Sequence, residues 1–151
     1  MNQKRRDVLR VTAVLSLMAA TGLISEAQAA EWNKTAFDGK SVADVIKALG
    51  GTGTEKSGSI TFTAPDIAEN GAVVPVAVTS TIPDTEQIAI LVEKNPFTLA
   101  ADFKIPAGTE PFVSTRVKMG QTSIVYAAVK AGGKWYVAQK EIKVTLGGCG
   151  G

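Results

Sequence analysis

From Ser59 onward the chain is a succession of short segments in which apolar residues recur at every second position, and this period confines it to β-rich architectures. Ile60, Phe62 and Ala64 alternate with Ser59, Thr61 and Thr63. Val74, Val76 and Val78 form a second run, in which Pro75 points to an edge strand or a bulge. Ile88 to Val92 is nearly all apolar and predicts a central strand. Phe97, Leu99, Ala101, Phe103 and Ile105 alternate with Thr98, Ala100, Asp102 and Lys104, and Val113, Thr115 and Val117 with Ser114, Arg116 and Lys118. Ser123 to Val129 and Trp135 to Leu146 complete the series, joined by a Gly132-Gly133 hairpin turn. Asn70-Gly71, Pro83-Asp84, Asn95-Pro96, Ala107-Gly108 and Gly120 separate the other runs. About seven strands with turns every eight to twelve residues predict a mainly β fold, an immunoglobulin-like antiparallel β-sandwich over about 59–146. A small closed barrel has the same local pattern and is the alternative.

One helix precedes the strands. Ser41 can cap it, Asp44 sits near its positive end, and Val42, Val45, Ile46 and Leu49 share one face. Gly50-Gly51 stops it, which predicts a short amphipathic helix near 41–49. The polar, Gly-rich stretch from Gly51 to Gly58 reads as a loop, and Trp32 and Trp135 read as packing residues.

Composition excludes several chemistries. The 151 residues contain no histidine and one cysteine, so there is no imidazole base, no His-ligated metal, no internal disulfide and no cysteine metal cluster. The sequence predicts no cofactor. Sixteen basic residues face fourteen acidic ones, but four basic and two acidic residues fall within 1–29, which leaves the body neutral. With 6% aromatic residues as well, neither a nucleic acid nor a membrane surface is an expected partner.

Residues 1–29 read as an export signal. Lys4-Arg5-Arg6-Asp7-Val8-Leu9-Arg10 is a charged start, Val11 to Ile24 a weakly apolar run, and Ala27-Gln28-Ala29 a cleavage signal. The arginine pair followed by Asp-Val-Leu resembles a twin-arginine signal, the route for folded cargo, with an ordinary secretory signal as the alternative. Either places the mature domain, 30–146 with its tail, in the periplasm or otherwise outside the cytoplasm.

Beyond Leu146 stand Gly147, Gly148, Cys149, Gly150 and Gly151. Five residues with no side chain but the thiol cannot pack and lose much entropy if ordered, so the reading is a flexible arm of at most about 17 Å. A nucleophilic role is disfavoured because no base is present and the Gly151 carboxylate opposes thiolate formation. At the reference pKa only about 3% of such a thiol is ionised at pH 7, so Cys149 is a handle that another active site must activate. A frayed tail and an interchain disulfide, giving a dimer linked through Cys149, are the other readings.

The twin-arginine start, the β-sandwich pattern and above all Gly147-Gly148-Cys149-Gly150-Gly151 resemble the SoxY family, sulfur carriers of the periplasmic Sox thiosulfate-oxidation system. The resemblance implies a carrier that catalyses nothing itself, with Cys149 as the covalent attachment point and the four glycines as its arm. It implies a heterodimer with SoxZ, a second small β-sandwich protein. It further implies transient complexes with the cytochrome SoxXA, which couples thiosulfate to the thiol, and with SoxB, a dimanganese hydrolase that releases sulfate and leaves a persulfide. The sulfane dehydrogenase SoxCD then oxidises the remaining sulfur to an S-sulfonate, which a second hydrolysis removes. A cytosolic carrier with a terminal thiocarboxylate is disfavoured by the export signal.

Overall fold

Asn33 and Ser41 each start a helix. The computed structural model describes residues 33–145, and in it Asn33 Oδ1 accepts from the Ala36 amide at 3.0 Å to open α1 (Lys34–Phe37). Ser41 Oγ accepts from the Asp44 amide at 3.1 Å to open α2 (Val42–Ala48). Both bonds satisfy amides that a helix start leaves free. α2 is the helix its spacing predicts. α1 is too short for a helical period to show in the sequence.

Among the described residues nine strands follow: β1 (Thr54–Lys56), β2 (Ile60–Thr63), β3 (Ile67–Ala68), β4 (Val74–Ser80), β5 (Thr85–Val92), β6 (Leu99–Lys104), β7 (Phe112–Val117), β8 (Ser123–Ala131) and β9 (Lys134–Val144). One sheet has the order β1-β9-β8-β5-β6, with β3 also paired to β9; the other is β2-β4-β7. The two sheets form the predicted immunoglobulin-like sandwich. Gly132 and Gly133, both at positive φ (55° and 77°), make the two-residue turn between β8 and β9.

The apolar run in β5 has a simple cause. Ile88, Ile90 and Val92 point into the space between the sheets, against Val74, Val76, Val78, Val113 and Val117. Ala89 and Leu91 point the other way, into a second core with Val45, Ile46, Leu49 and Trp135. All five β5 residues are fully buried. The larger sheet is therefore covered on both faces at β5, by the smaller sheet and by the helices, and this interior strand cannot alternate with polar residues. Trp135 is a packing residue, as its sequence context suggests. Trp32, the segment 1–29 expected to be an export signal and the arm expected over 147–151 lie outside the described residues.

Four expectations need correction. The stretch expected as a loop after Gly51 contains β1, whose exposed Thr-Glu-Lys sequence carries no alternation. β1 and β3 both run parallel to β9, so the sandwich is not wholly antiparallel and has more strands than its periodicity suggests. The chain leaves the edge of β9 after Lys56, contributes β2 to the other sheet and returns at Ile67. Pro75 lies in the middle strand of its sheet, not on an edge strand. β2 ends with Thr63 opposite Ala77, so no strand flanks Pro75 on that side and its missing N–H is tolerated. Finally, Phe97, Leu99 and Ala101 do not share a face. A register shift pairs Leu91 with Leu99 but Ile90 with Ala101, which turns Leu99 toward the helices and leaves Phe97 before the strand, exposed beneath the Lys40 ammonium.

Ile90→Ala is expected to lower unfolding free energy by about 2–5 kcal/mol in a urea titration, because the vacated space lies in a fully packed core. Phe112→Ala, at a half-exposed position, should stay within about 0.5 kcal/mol.

Candidate functional site

Cys149 and Gly147, Gly148, Gly150 and Gly151 lie outside the described residues; the structure fixes the point from which the chain sets out toward them. Four hydrogen bonds hold that point. The Lys143 amide donates to the Asp66 carbonyl at 2.9 Å, and the Val144 amide to Thr122 Oγ1 at 3.0 Å. The Thr145 amide donates to the Ala68 carbonyl at 3.2 Å, and its hydroxyl reaches the Glu69 carbonyl at 3.5 Å. β3, two residues long, serves to bind this end of β9.

Three loops close around the same end, at turns the sequence marks as Asn70-Gly71, Asn95-Pro96 and Gly120. The Met119 amide donates to the Gly71 carbonyl at 2.7 Å. Asn95 Nδ2 donates to the Lys118 carbonyl at 2.7 Å, and the Gly120 amide to Asn95 Oδ1 at 3.3 Å. The Lys94 amide donates to the buried Ser123 hydroxyl at 3.0 Å. Gly71 is required by close approach: a Cβ there would stand 2.8 Å from Val144 Cγ1 and collide with the Met119 carbonyl oxygen.

Burial, and secondarily the Glu93 carboxylate, push the Tyr126 phenol above its usual range, so it stays protonated at neutral pH. Among the described residues no group of three or more histidine, cysteine or acidic side chains could hold a metal.

Clefts open at the opposite end of the strands, two of them large. One, of about 440 Å³, lies between Ser80–Glu86 and Ile105–Pro111. The other, of about 600 Å³, lies between α2 and Gly51–Thr54. Thr85 pairs with Ala131, which pairs with Lys134, and Thr54 pairs with Trp135, so both clefts sit beside the start of β9. From there to Thr145 is about 35 Å along the strand. The four residue steps from Thr145 to Cys149 span at most about 14 Å. Chain length alone rules out a reaction of Cys149 in either cleft.

Comparison with known proteins gives the family. The profile of the sulfur oxidation protein SoxY matches residues 46–149. Among solved structures, the sulfur carrier protein SoxY from Chlorobium limicola f thiosulfatophilum is 38% identical, over 68% of this chain and 93% of its own, with a TM-score of 0.61. A superoxide reductase (neelaredoxin) from Ignicoccus hospitalis is 21% identical, over 58% of this chain and 80% of its own, with a TM-score of 0.48. None of the curated proteins matches.

Gly71→Ala should force the 69–73 loop off the end of β9. The expected cost is about 1–3 kcal/mol in urea unfolding. The amides of Val144 and Thr145 should exchange with solvent much faster than those of Ala127 and Ala128. Unchanged exchange at 144–145 would contradict the close packing of Gly71.

Proposed function

The chain belongs to the SoxY family of sulfur oxidation proteins, and from that membership we propose that it is a covalent sulfur carrier whose attachment point is Cys149. One observation carries the reading: the family match runs to Cys149, the single cysteine of the chain. A thiol with neighbours that lack side chains can enter a narrow active site, because nothing beside it clashes. A tether of a few residues also keeps its load at high effective concentration before each enzyme.

The steps are those the family resemblance implies. Thiosulfate joins the Cys149 sulfur to give an S-thiosulfonate; the thiol proton leaves and two electrons pass to the c-type cytochrome SoxXA. Water then releases the terminal sulfonate as sulfate at SoxB and leaves a persulfide. SoxCD oxidises the outer sulfur to an S-sulfonate, with water supplying the oxygen atoms and the electrons leaving through that enzyme. A second hydrolysis returns sulfate and the free thiol. The carrier's residues hold and present the sulfur, and the redox and hydrolytic groups belong to the partners.

SoxZ is the stable partner in this reading, and the periplasm is the site of action, reached by the twin-arginine signal in residues 1–29. No helix among the described residues is long and apolar enough to cross a membrane. A folded-cargo signal on a chain without a cofactor motif makes sense if assembly with a partner precedes export.

Cys149→Ser should fold and bind its partner as the parent does, yet take up no sulfur adduct by intact mass after exposure to thiosulfate and the oxidising cytochrome. Thiosulfate-dependent electron release by that variant would contradict the carrier reading. Replacing Arg5 and Arg6 with lysine should retain both this chain and SoxZ in the cytoplasm on fractionation. A periplasmic SoxZ alongside a retained carrier would show independent export.

A further inference from the structure

Asn70 and Gly71 stand beside the end of β9, and their surroundings bear on the chemistry of the bond between them. Asn70 is exposed, whereas Gly71 is buried. Asn70 Oδ1 accepts from the Ala72 amide at 3.0 Å, which folds the side chain back over the bond to Gly71. The Asn70 carbonyl accepts from the Val73 amide at 3.3 Å, and the Gly71 carbonyl from the Met119 amide at 2.7 Å. The Gly71 amide donates to no acceptor among the described residues.

An asparagine side chain bent back on the next peptide nitrogen can close a five-membered imide. The Gly71 nitrogen bonds to Asn70 Cγ, the bond from Cγ to its own nitrogen breaks, and ammonia leaves with the proton of the Gly71 amide. Water then opens the imide at one carbonyl or the other, to aspartate or isoaspartate, with no oxidant and no cofactor. Three features favour closure. Glycine presents no side chain to the approaching Cγ. The Ala72 N–H already bonds the oxygen on which negative charge develops as the nitrogen adds. The Gly71 N–H, which the ring consumes, has no hydrogen bond within the chain to lose. The other two asparagines among the described residues lack this set. Asn33 caps α1 and precedes a lysine, and Asn95 precedes a proline, which has no N–H.

In isoaspartate the backbone runs through Cβ and Cγ, so one atom is added before Gly71, and the former Asn70 carbonyl becomes a free carboxylate beside Glu69. Gly71 has no room for that change. A single carbon added to it would already stand 2.8 Å from Val144 Cγ1 and collide with the Met119 carbonyl oxygen. The strand just before it, β3, is the one that pairs with Lys143 and Val144. We propose that Asn70 is a site of spontaneous rearrangement to isoaspartate, and that the rearranged chain releases the end of β9 at Val144 and Thr145. The consequence for function rests on the carrier reading above: an aged carrier presents Cys149 from a loosened root. The rearrangement itself does not rest on it.

The test incubates the full mature chain in mildly alkaline buffer, native and in urea, and follows the tryptic peptide 57–94, in which Asn70 is the sole asparagine. The amide-to-acid mass gain should appear in the native chain at no less than about a third of its rate in urea. Electron-transfer fragmentation should place it at Asn70, mainly as isoaspartate. A slower native rate would mean that Asn70 reacts only from an opened chain, and would overturn the site. Asn70→Gln, which would need a six-membered ring, should gain no mass over the same period; an equal gain would place the chemistry elsewhere. The isoaspartyl protein, separated by ion exchange, should exchange the Val144 and Thr145 amides roughly tenfold faster than the parent, with Ala127 and Ala128 unchanged. Freshly prepared Asn70→Asp, with the same charge on an unaltered backbone, should exchange as the parent does. Parent-like exchange in the isoaspartyl protein, or an equal rise in Asn70→Asp, would overturn the release. Neither readout involves sulfur, so a parent chain that takes no adduct from thiosulfate and the oxidising cytochrome would sink the carrier reading and leave the rearrangement standing.

Discussion

Burial of β5 on both faces is the constraint on which the rest of the structure depends. Ile88, Ile90 and Val92 fill the space between the sheets while Ala89 and Leu91 support the helices. β5 lies inside its sheet, with β8 on one side and the edge strand β6 on the other. β8 in turn fixes β9 through the Gly132-Gly133 turn and a register that runs from Ala131–Lys134 to Ser123–Ile142. The course of β9 decides where the chain emerges at Thr145. The packing that stabilises the body thus sets the origin of the segment that carries the thiol.

The proposed division of labour between carrier and enzymes fits that geometry. The described residues make a rigid β body, with the end of β9 bound by Asp66, Ala68 and Thr122. The two clefts beside the start of β9 lie too far from Thr145 for Cys149 to use them. In the proposed carrier role this arrangement is useful: a thiol that reacted in its own protein's cleft would compete with the enzymes it is proposed to serve.

The sandwich was legible because period two survives wherever a strand has one wet face, as in Ile60–Thr63 and Phe112–Val117. α2 was legible from Ser41 and the spacing of Val45, Ile46 and Leu49. β1 and β3 were not, because both owe their existence to the backbone of β9 rather than to apolar patterning of their own. The opposite facing of Leu99 and Ala101 was hidden for a related reason: a bulge reverses a strand's faces without changing its composition. Pro75 misled because β2 is shorter than β4, which leaves a local edge along a middle strand. Cys149 stood out by being the sole cysteine among glycines. Thr122 and Thr145, which secure the root of that segment, carry no sequence signal, since any threonine beside a turn looks alike until the fold brings it to β9.

The central claim, that Cys149 carries sulfur in the working protein, is most directly tested on protein isolated from cells oxidising thiosulfate, trapped in acid without reductant. Lys143 precedes Val144, so trypsin releases a peptide that begins at Val144 and contains Cys149. The account predicts that this peptide is found in part with added sulfane sulfur or sulfonate on Cys149, and that dithiothreitol strips those additions. A peptide found only with a free thiol, or only in a disulfide with a second chain, would contradict it.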